Sequence, residues 1–117
     1  MNFKTHLSTE KILFLTLEEN IYALPKQSPI FTTIDEFIEK GIRNCVIDIG
    51  KAHFMGSAAI GLMVIVLTKF RNKGGEVILM NPSEQTQKVL LITKLNAIFT
   101  IVYSKEEALQ FFAVQNQ

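Results

Sequence analysis

Cysteine is almost missing from this chain of 117 residues: Cys45 stands alone. A single thiol excludes an internal disulfide framework and fits a reducing, cytosolic setting. Set in the apolar run Cys45 to Ile49, it reads as a small buried side chain. Histidine is nearly as scarce. His6 falls in a polar N-terminal strand, and His53 has no second histidine, cysteine or carboxylate pair beside it. No metal site or acid–base catalyst is indicated, and no cofactor is expected. An excess of one charge is also missing. With 12 basic and 11 acidic residues the net charge is +1, and the basic residues are scattered. That speaks against a nucleic-acid groove and against a membrane-surface patch. No glycine-rich loop precedes a helix to hold a phosphate. The N-terminus does not show the basic-then-apolar order of a signal peptide. No repeat or low-complexity tract divides the chain. The apolar stretch Phe54 to Leu67 (FMGSAAIGLMVIVL) stops at Thr68, Lys69 and Arg71, short of the roughly 20 residues that span a bilayer. Membrane insertion is therefore not expected.

What is present is an ordinary globular balance, 48% apolar and 20% charged, in one domain expected to cover residues 1–117. Phe3, Thr5 and Leu7 alternate with polar neighbours as a weak edge strand, and Ser8-Thr9-Glu10 can turn the chain. Ile12 to Leu17 reads as a buried strand. Ser28-Pro29 starts a helix whose apolar positions are Ile30, Ile34, Phe37 and Ile38, with Gly41 as its stop. Cys45 to Ile49 is a second buried strand. A helix then begins at Ser57 and fades at Gly74-Gly75, and Val77 to Met80 is a third buried strand. Asn81-Pro82-Ser83-Glu84 predicts a helix capped by Asn81, with Val89, Leu90, Ile92 and Leu95 on its apolar side and Asn96 as a left-handed terminator. Ile98 to Val102 is a last strand. Ser104-Lys105-Glu106-Glu107 is a capping box that opens a C-terminal helix.

The order β-β-α-β-α-β-α-β-α implies an α/β domain with a central mixed, mostly parallel sheet of about five strands and about four helices. Functional sites in such sheets lie at loops leaving the carboxyl ends of strands, and the Ile49-to-Ser57 loop is one.

Stepping the helix from Ser57 by about 100° per residue puts Ala59, Ile60, Met63, Val64, Leu67 and Phe70 on one side, toward the sheet. Ala58, Leu62 and Ile65 fall opposite, continued by Lys69, Asn72 and Lys73. Either another helix covers Leu62 and Ile65, or these residues form a docking patch. Gly61, which costs its helix roughly 1 kcal/mol against alanine, lies on that outward side. It admits either a partner's backbone or a loop of the same domain. Ser57 reads as the N-cap, where the free N–H groups also favour an anion. It is not a hydrolase nucleophile, because Met55 and Ala59 stand where the elbow motif needs glycines. Asp48 reads as a strand-end carboxylate holding a local hydrogen bond.

The segment NCVIDIGKAHFMGSAAIGLMVIVLTKFRNKGGEVILMNPSEQTQKVL resembles the STAS domain, and within it the bacterial anti-sigma factor antagonists. The family's loop and helix start, FMDSSGLG, matches FMGSAAIG here, and its glycine pair matches Gly74-Gly75. The resemblance runs from about Lys11 to Phe112. It implies that Ser57 is the serine phosphorylated by a partner anti-sigma factor with serine kinase activity, and that a serine phosphatase reverses the modification. It implies that the unphosphorylated domain binds that partner through Gly56, Ser57, Ala58, Gly61, Leu62 and Ile65. The motif is not matched throughout: Gly56 replaces the aspartate, Ala58 the second hydroxyl residue, and Ala59 a glycine. Upstream, Glu19-Asn20-Ile21-Tyr22 aligns with a family loop that ends in aspartate, so Tyr22 replaces a second acidic residue.

The reading is a cytoplasmic, non-enzymatic binding protein that acts in a partner switch. The alternative is a divergent STAS module without a working phospho-switch, a constitutive binder or a subunit of a larger signalling or lipid-transport assembly. A possible homodimer is left open by the sequence. A small-molecule enzyme is the remaining class, with His53 or Asp48 as the residues it would need.

Overall fold

The computed structural model describes residues 2–23 and 28–115. Its sheet has the strands β1 (Phe3–Leu7), β2 (Ile12–Leu17), β3 (Asn44–Asp48), β4 (Glu76–Met80) and β5 (Ile101–Val102), side by side in chain order. β1 runs antiparallel to β2, and every other neighbouring pair is parallel. Each parallel pair needs a crossover, and α1 (Pro29–Glu39), α2 (Ser57–Arg71) and α3 (Glu84–Ile92) supply them. A fourth helix, α4 (Lys105–Gln115), follows β5.

Alternation along the strands sorts the side chains into two layers. Leu13, Leu15, Leu17, Cys45, Ile47, Val77 and Leu79 face the larger core, shared with α1, α2 and Leu90 of α3. Ile12, Phe14, Val46, Ile78, Met80 and Val102 face a smaller core closed by Ala108 and Phe112 of α4. Both faces are covered, so β2, β3 and β4 are near-continuous apolar runs, as parallel strands require. Cys45 lies in the larger core, and burial pushes its thiol far up, out of reach of ordinary redox chemistry.

Most boundary signals do what their chemistry dictates. The Ser28 hydroxyl accepts from the Ile30 N–H at the start of α1, with Pro29 in the first turn. Gly41 sits at φ +95° just past its end. Ser104 accepts from the Glu107 N–H at the start of α4, while the Glu107 carboxylate reaches back to the Tyr103 N–H.

Several expectations need correction. α3 is capped by Ser83, not Asn81: Asn81 takes φ +60° to turn the chain out of β4, and the Ser83 hydroxyl accepts from the Thr86 N–H. Lys94, not Asn96, is the left-handed residue after α3, and Asn96 lies in a 3₁₀ turn, Leu95–Ala97. That early stop leaves Ile92 80% exposed, since only Thr86 and Leu90 of this short helix are buried. The last strand is only Ile101–Val102.

Gly75 sits where two backbone segments approach closely. A β-carbon there would lie 1.7 Å from the Arg43 carbonyl oxygen. The same oxygen accepts from the Glu76 N–H at 3.0 Å where β3 and β4 begin to pair. Gly75→Ala is expected to lower the unfolding free energy by about 1–3 kcal/mol or more, as overpacking does. Urea denaturation should show this as a lower midpoint at unchanged slope.

Candidate functional site

The loop from β3 to α2 is held from two directions. On one side Asn20 accepts from the Phe54 N–H through its side-chain oxygen at 3.0 Å. The Ile21 N–H donates to the Phe54 carbonyl, and the Gly56 N–H donates to the Ile21 carbonyl, each at 3.1 Å. Ile21 and Met55 thus form a parallel bridge, and the Tyr22 ring stacks on Phe54 with centroids 5.0 Å apart. On the other side the Ser83 hydroxyl donates to the His53 carbonyl at 2.9 Å. At the start of the loop, Asp48 accepts from the Gly50 N–H at 3.0 Å, the local bond its position suggested. His53 contributes its carbonyl to this framework, and its side chain is exposed.

This clamp sets the start of α2. The N-cap is Gly56, in extended backbone and with no side-chain cap bond, whereas Ser57 is the first helical residue. The expected capping by Ser57 is therefore corrected. The Gly56 carbonyl already accepts from the Ala59 and Ile60 N–H groups, so the helix starts one residue earlier than a Ser57 cap would allow. Freed from capping, Ser57 is exposed beside the unpaired N–H groups of the first turn.

The faces of α2 also differ from a single-sided wheel. Of the two alternatives for Leu62, cover by another helix holds and a place in an exposed patch does not: it is 1% exposed and belongs to the larger core. The physical reason is a second neighbour. α1 lies alongside α2, and Leu62, Val66 and Lys69 form one stripe at i, i+4 and i+7. Lys69 ends that stripe with a 2.9 Å ion pair to Asp35 of α1. Val64, expected to face the sheet, is exposed instead. The uncovered stripe is Ser57, Gly61, Val64, Ile65 and Thr68, with Ala58 half-buried at its edge. Ile65 is 45% exposed, so the covering helix reaches Leu62 but not Ile65.

Beside this stripe lies a groove of about 370 Å³ between the start of α2 and α3. Phe54, Met55, Ser57 and Ile60 line one wall, and Gln85, Val89 and Thr93 line the other. Leu91 and Ile92 of α3 are exposed nearby in sequence. Sequence reasoning missed the groove and the Tyr22–Phe54 stack, because both join segments far apart in the chain. The surplus of apolar residues on the short α3, more than one helix face can bury, was the available signal for that wall. Among the described residues no group of histidine, cysteine and acidic side chains could hold a metal ion, and no helix is long and apolar enough to cross a membrane.

Gly61 has open space beside it: among the described residues a β-carbon there meets nothing within 4 Å. Among the described residues no loop of the same domain approaches it closely. Gly61→Ala is expected to raise the unfolding free energy by about 0.5–1 kcal/mol through helix propensity alone. A thermal midpoint that falls on this substitution would show that the fold does need the glycine.

Residues 6–108 match the STAS domain family. A candidate anti-sigma factor antagonist of Thermotoga neapolitana is 32% identical over 76 residues, which cover 65% of this chain and 67% of that protein. The crystal structure of a candidate antagonist from Thermotoga maritima superposes with a TM-score of 0.78 at 23% identity, covering 92% of each chain. The Bacillus anti-sigma factor antagonist SpoIIAA, at 21% identity, superposes with TM-scores of 0.76 in its unphosphorylated form and 0.70 in its phosphorylated form. These comparisons cover 96% and 95% of this chain and 96% and 99% of that protein. Five strands in this order, crossovers through α1 to α3 and the matched span together place the chain in the STAS domain family, with the fold of the anti-sigma factor antagonists.

Proposed function

We propose that this protein is an anti-sigma factor antagonist that works by binding a partner protein, without catalysis of its own. The carrying observation is the uncovered stripe of α2, in which an exposed serine at the first helical position leads onto Gly61, Val64 and Ile65. A glycine with open space beside it among the described residues, flanked by exposed apolar side chains, suits a partner backbone packed close against the helix. In this reading Gly56, Ser57, Ala58, Gly61 and Ile65 contact the partner directly. Leu62 supports them from beneath by fixing α2 against α1. The partner is an anti-sigma factor with serine kinase activity, and a serine phosphatase resets the cycle in the cytoplasm. SpoIIAA, which shares the fold, is known in both phosphorylation states.

One observation favours a second reading. Gly56 carries no carboxylate where the family motif has one, and no acidic side chain stands in the first turn of α2. A domain without that charge is a constitutive binder, in which Ser57 acts as a contact and not as a switch.

The cognate partner separates the two. In the switching protein, ATP and the kinase add one phosphate at Ser57, read by mass spectrometry. Ser57→Asp then weakens the complex by more than about tenfold, while Ser57→Ala binds as the wild type does. Equal binding by both variants, with no phosphate added, would leave only the constitutive binder. Ile65→Asp is expected to weaken the complex in either case, and undiminished binding by that variant would remove the α2 stripe from the interface. Gly56→Asp should be tolerated, because a β-carbon there meets its nearest neighbours at 3.6 Å. As a side-chain cap it should add about 0.5–1 kcal/mol to domain stability, measured by thermal unfolding.

A further inference from the structure

The sheet has two ends, and they are not alike. β5 ends it with only Ile101–Val102, whereas β1 ends it with Phe3–Leu7, paired to β2 along its whole length. Among the described residues no strand pairs with the far side of β1. Which backbone groups face outward follows from the ladder. The Glu18 N–H donates to the Asn2 carbonyl and the Ser8 N–H donates to the Ile12 carbonyl, at 3.0 and 2.9 Å. The register pairs Lys4 with Thr16 and His6 with Phe14 between those points. Antiparallel ladders alternate, so Asn2, Lys4, His6 and Ser8 spend their backbone groups on β2. Phe3, Thr5 and Leu7 therefore point their N–H and C=O groups away from the sheet.

This edge has few of the usual guards. It contains no proline, and its register has no bulge. Its one lysine, Lys4, turns back over β2 to Glu18 at 3.2 Å. Leu7 is 41% exposed at the strand's end, and Phe3 is only partly buried at its beginning.

We propose that β1 is a self-pairing edge, through which two copies of this chain join their sheets antiparallel about Thr5. The strand's own sequence selects that occupant. Centred on Thr5, the pairing sets Phe3 against Leu7 of the second copy and Thr5 against Thr5, both favourable cross-strand pairs. All the outward backbone groups are then used. A register one step toward the N-terminus that keeps the outward groups in line would put Lys4 against Lys4. One step the other way would leave Phe3 without an apolar partner. The dimer uses no residue of the α2 stripe, so it is independent of the binding reading above. With one short strand from each copy the interface is small, and the dimer is weak and concentration-dependent.

Thr5→Pro tests this cleanly, because the lost N–H is one that faces away from β2, the position where edge strands accept proline. Sedimentation should show the wild-type mass rising from 13.2 kDa toward twice that value with concentration. Thr5→Pro should raise the dimer dissociation constant at least about tenfold, with an unchanged circular dichroism spectrum. Amide exchange in the wild type reads the same geometry without a mutation, should the variant fail to fold. Exchange at Phe3, Thr5 and Leu7 should slow as concentration rises, while Lys4 and His6 stay protected throughout. A wild type that stays at 13.2 kDa at every concentration overturns the proposal. So does a dimer that survives Thr5→Pro, or one that leaves those three amides unprotected. Protection that comes only when a different protein is added would assign the edge to that protein and reject the second copy.

Discussion

The hydrogen-bonded clamp on the β3–α2 loop is the constraint on which the site depends. Ile21 exchanges bonds with Phe54 and Gly56 on one side, and Ser83 holds the His53 carbonyl on the other. Both sets of bonds are local in space and distant in sequence. Together they fix where α2 begins, and so which residue leads its first turn. Ser83 has two tasks, because the hydroxyl that donates to the loop also accepts from the Thr86 N–H to cap α3. Replacing it would loosen the loop and the groove wall together. The serine that the partner is proposed to meet is thus positioned by backbone bonds, and its own side chain stays unspent.

α2 itself is built against its local preferences. Its N-cap has no side-chain bond, and its second turn contains a glycine that no contact among the described residues requires. Together these omissions cost roughly 1–2 kcal/mol of local helix stability. The offset lies on the covered side, where Ala59, Leu62, Met63, Val66, Leu67 and Phe70 are all buried. A single buried leucine contributes about 1.5–3 kcal/mol relative to exposure, so packing outweighs the loss with margin. The helix therefore tolerates an outer face that adds little to the fold, because its inner faces carry its stability.

How far the sequence revealed this depended on range. Strands β2 to β4, the caps at Ser28 and Ser104 and the stop at Gly41 are local patterns, and each was readable from a few neighbouring residues. The STAS likeness rested on a motif of adjacent residues and was readable for the same reason. Leu62 shows where the reading ended. A helical wheel has one inside, and α2 has two, because α1 covers the stripe that ends at Lys69 and Asp35. No periodicity in α2 alone can say that α1 will lie there. Ser83 and Asn81 show a finer limit. Both are good caps by type, and the choice between them was made by Asn81 turning left-handed at the end of β4. The groove needed Phe54 and Val89 to be neighbours, which only the assembled sheet brings about.

The placement of Ser57 also decides what kind of switch its modification could operate. A phosphate carries about −1.5 to −2 charges near neutral pH. At the first helical position it would meet free N–H groups and the positive end of the helix dipole, an interaction of about 0.3–1 kcal/mol in favour of the modified domain. Phosphorylation at this site would not melt α2. The cost would fall on the complex, where the same charge would have to lose its water beside Gly61, Val64 and Ile65. Burying an unpaired charge costs several kcal/mol even after relaxation, more than the helix end returns. A modification that the isolated domain tolerates and an apolar interface does not is one that releases a partner while leaving the fold ready to bind again.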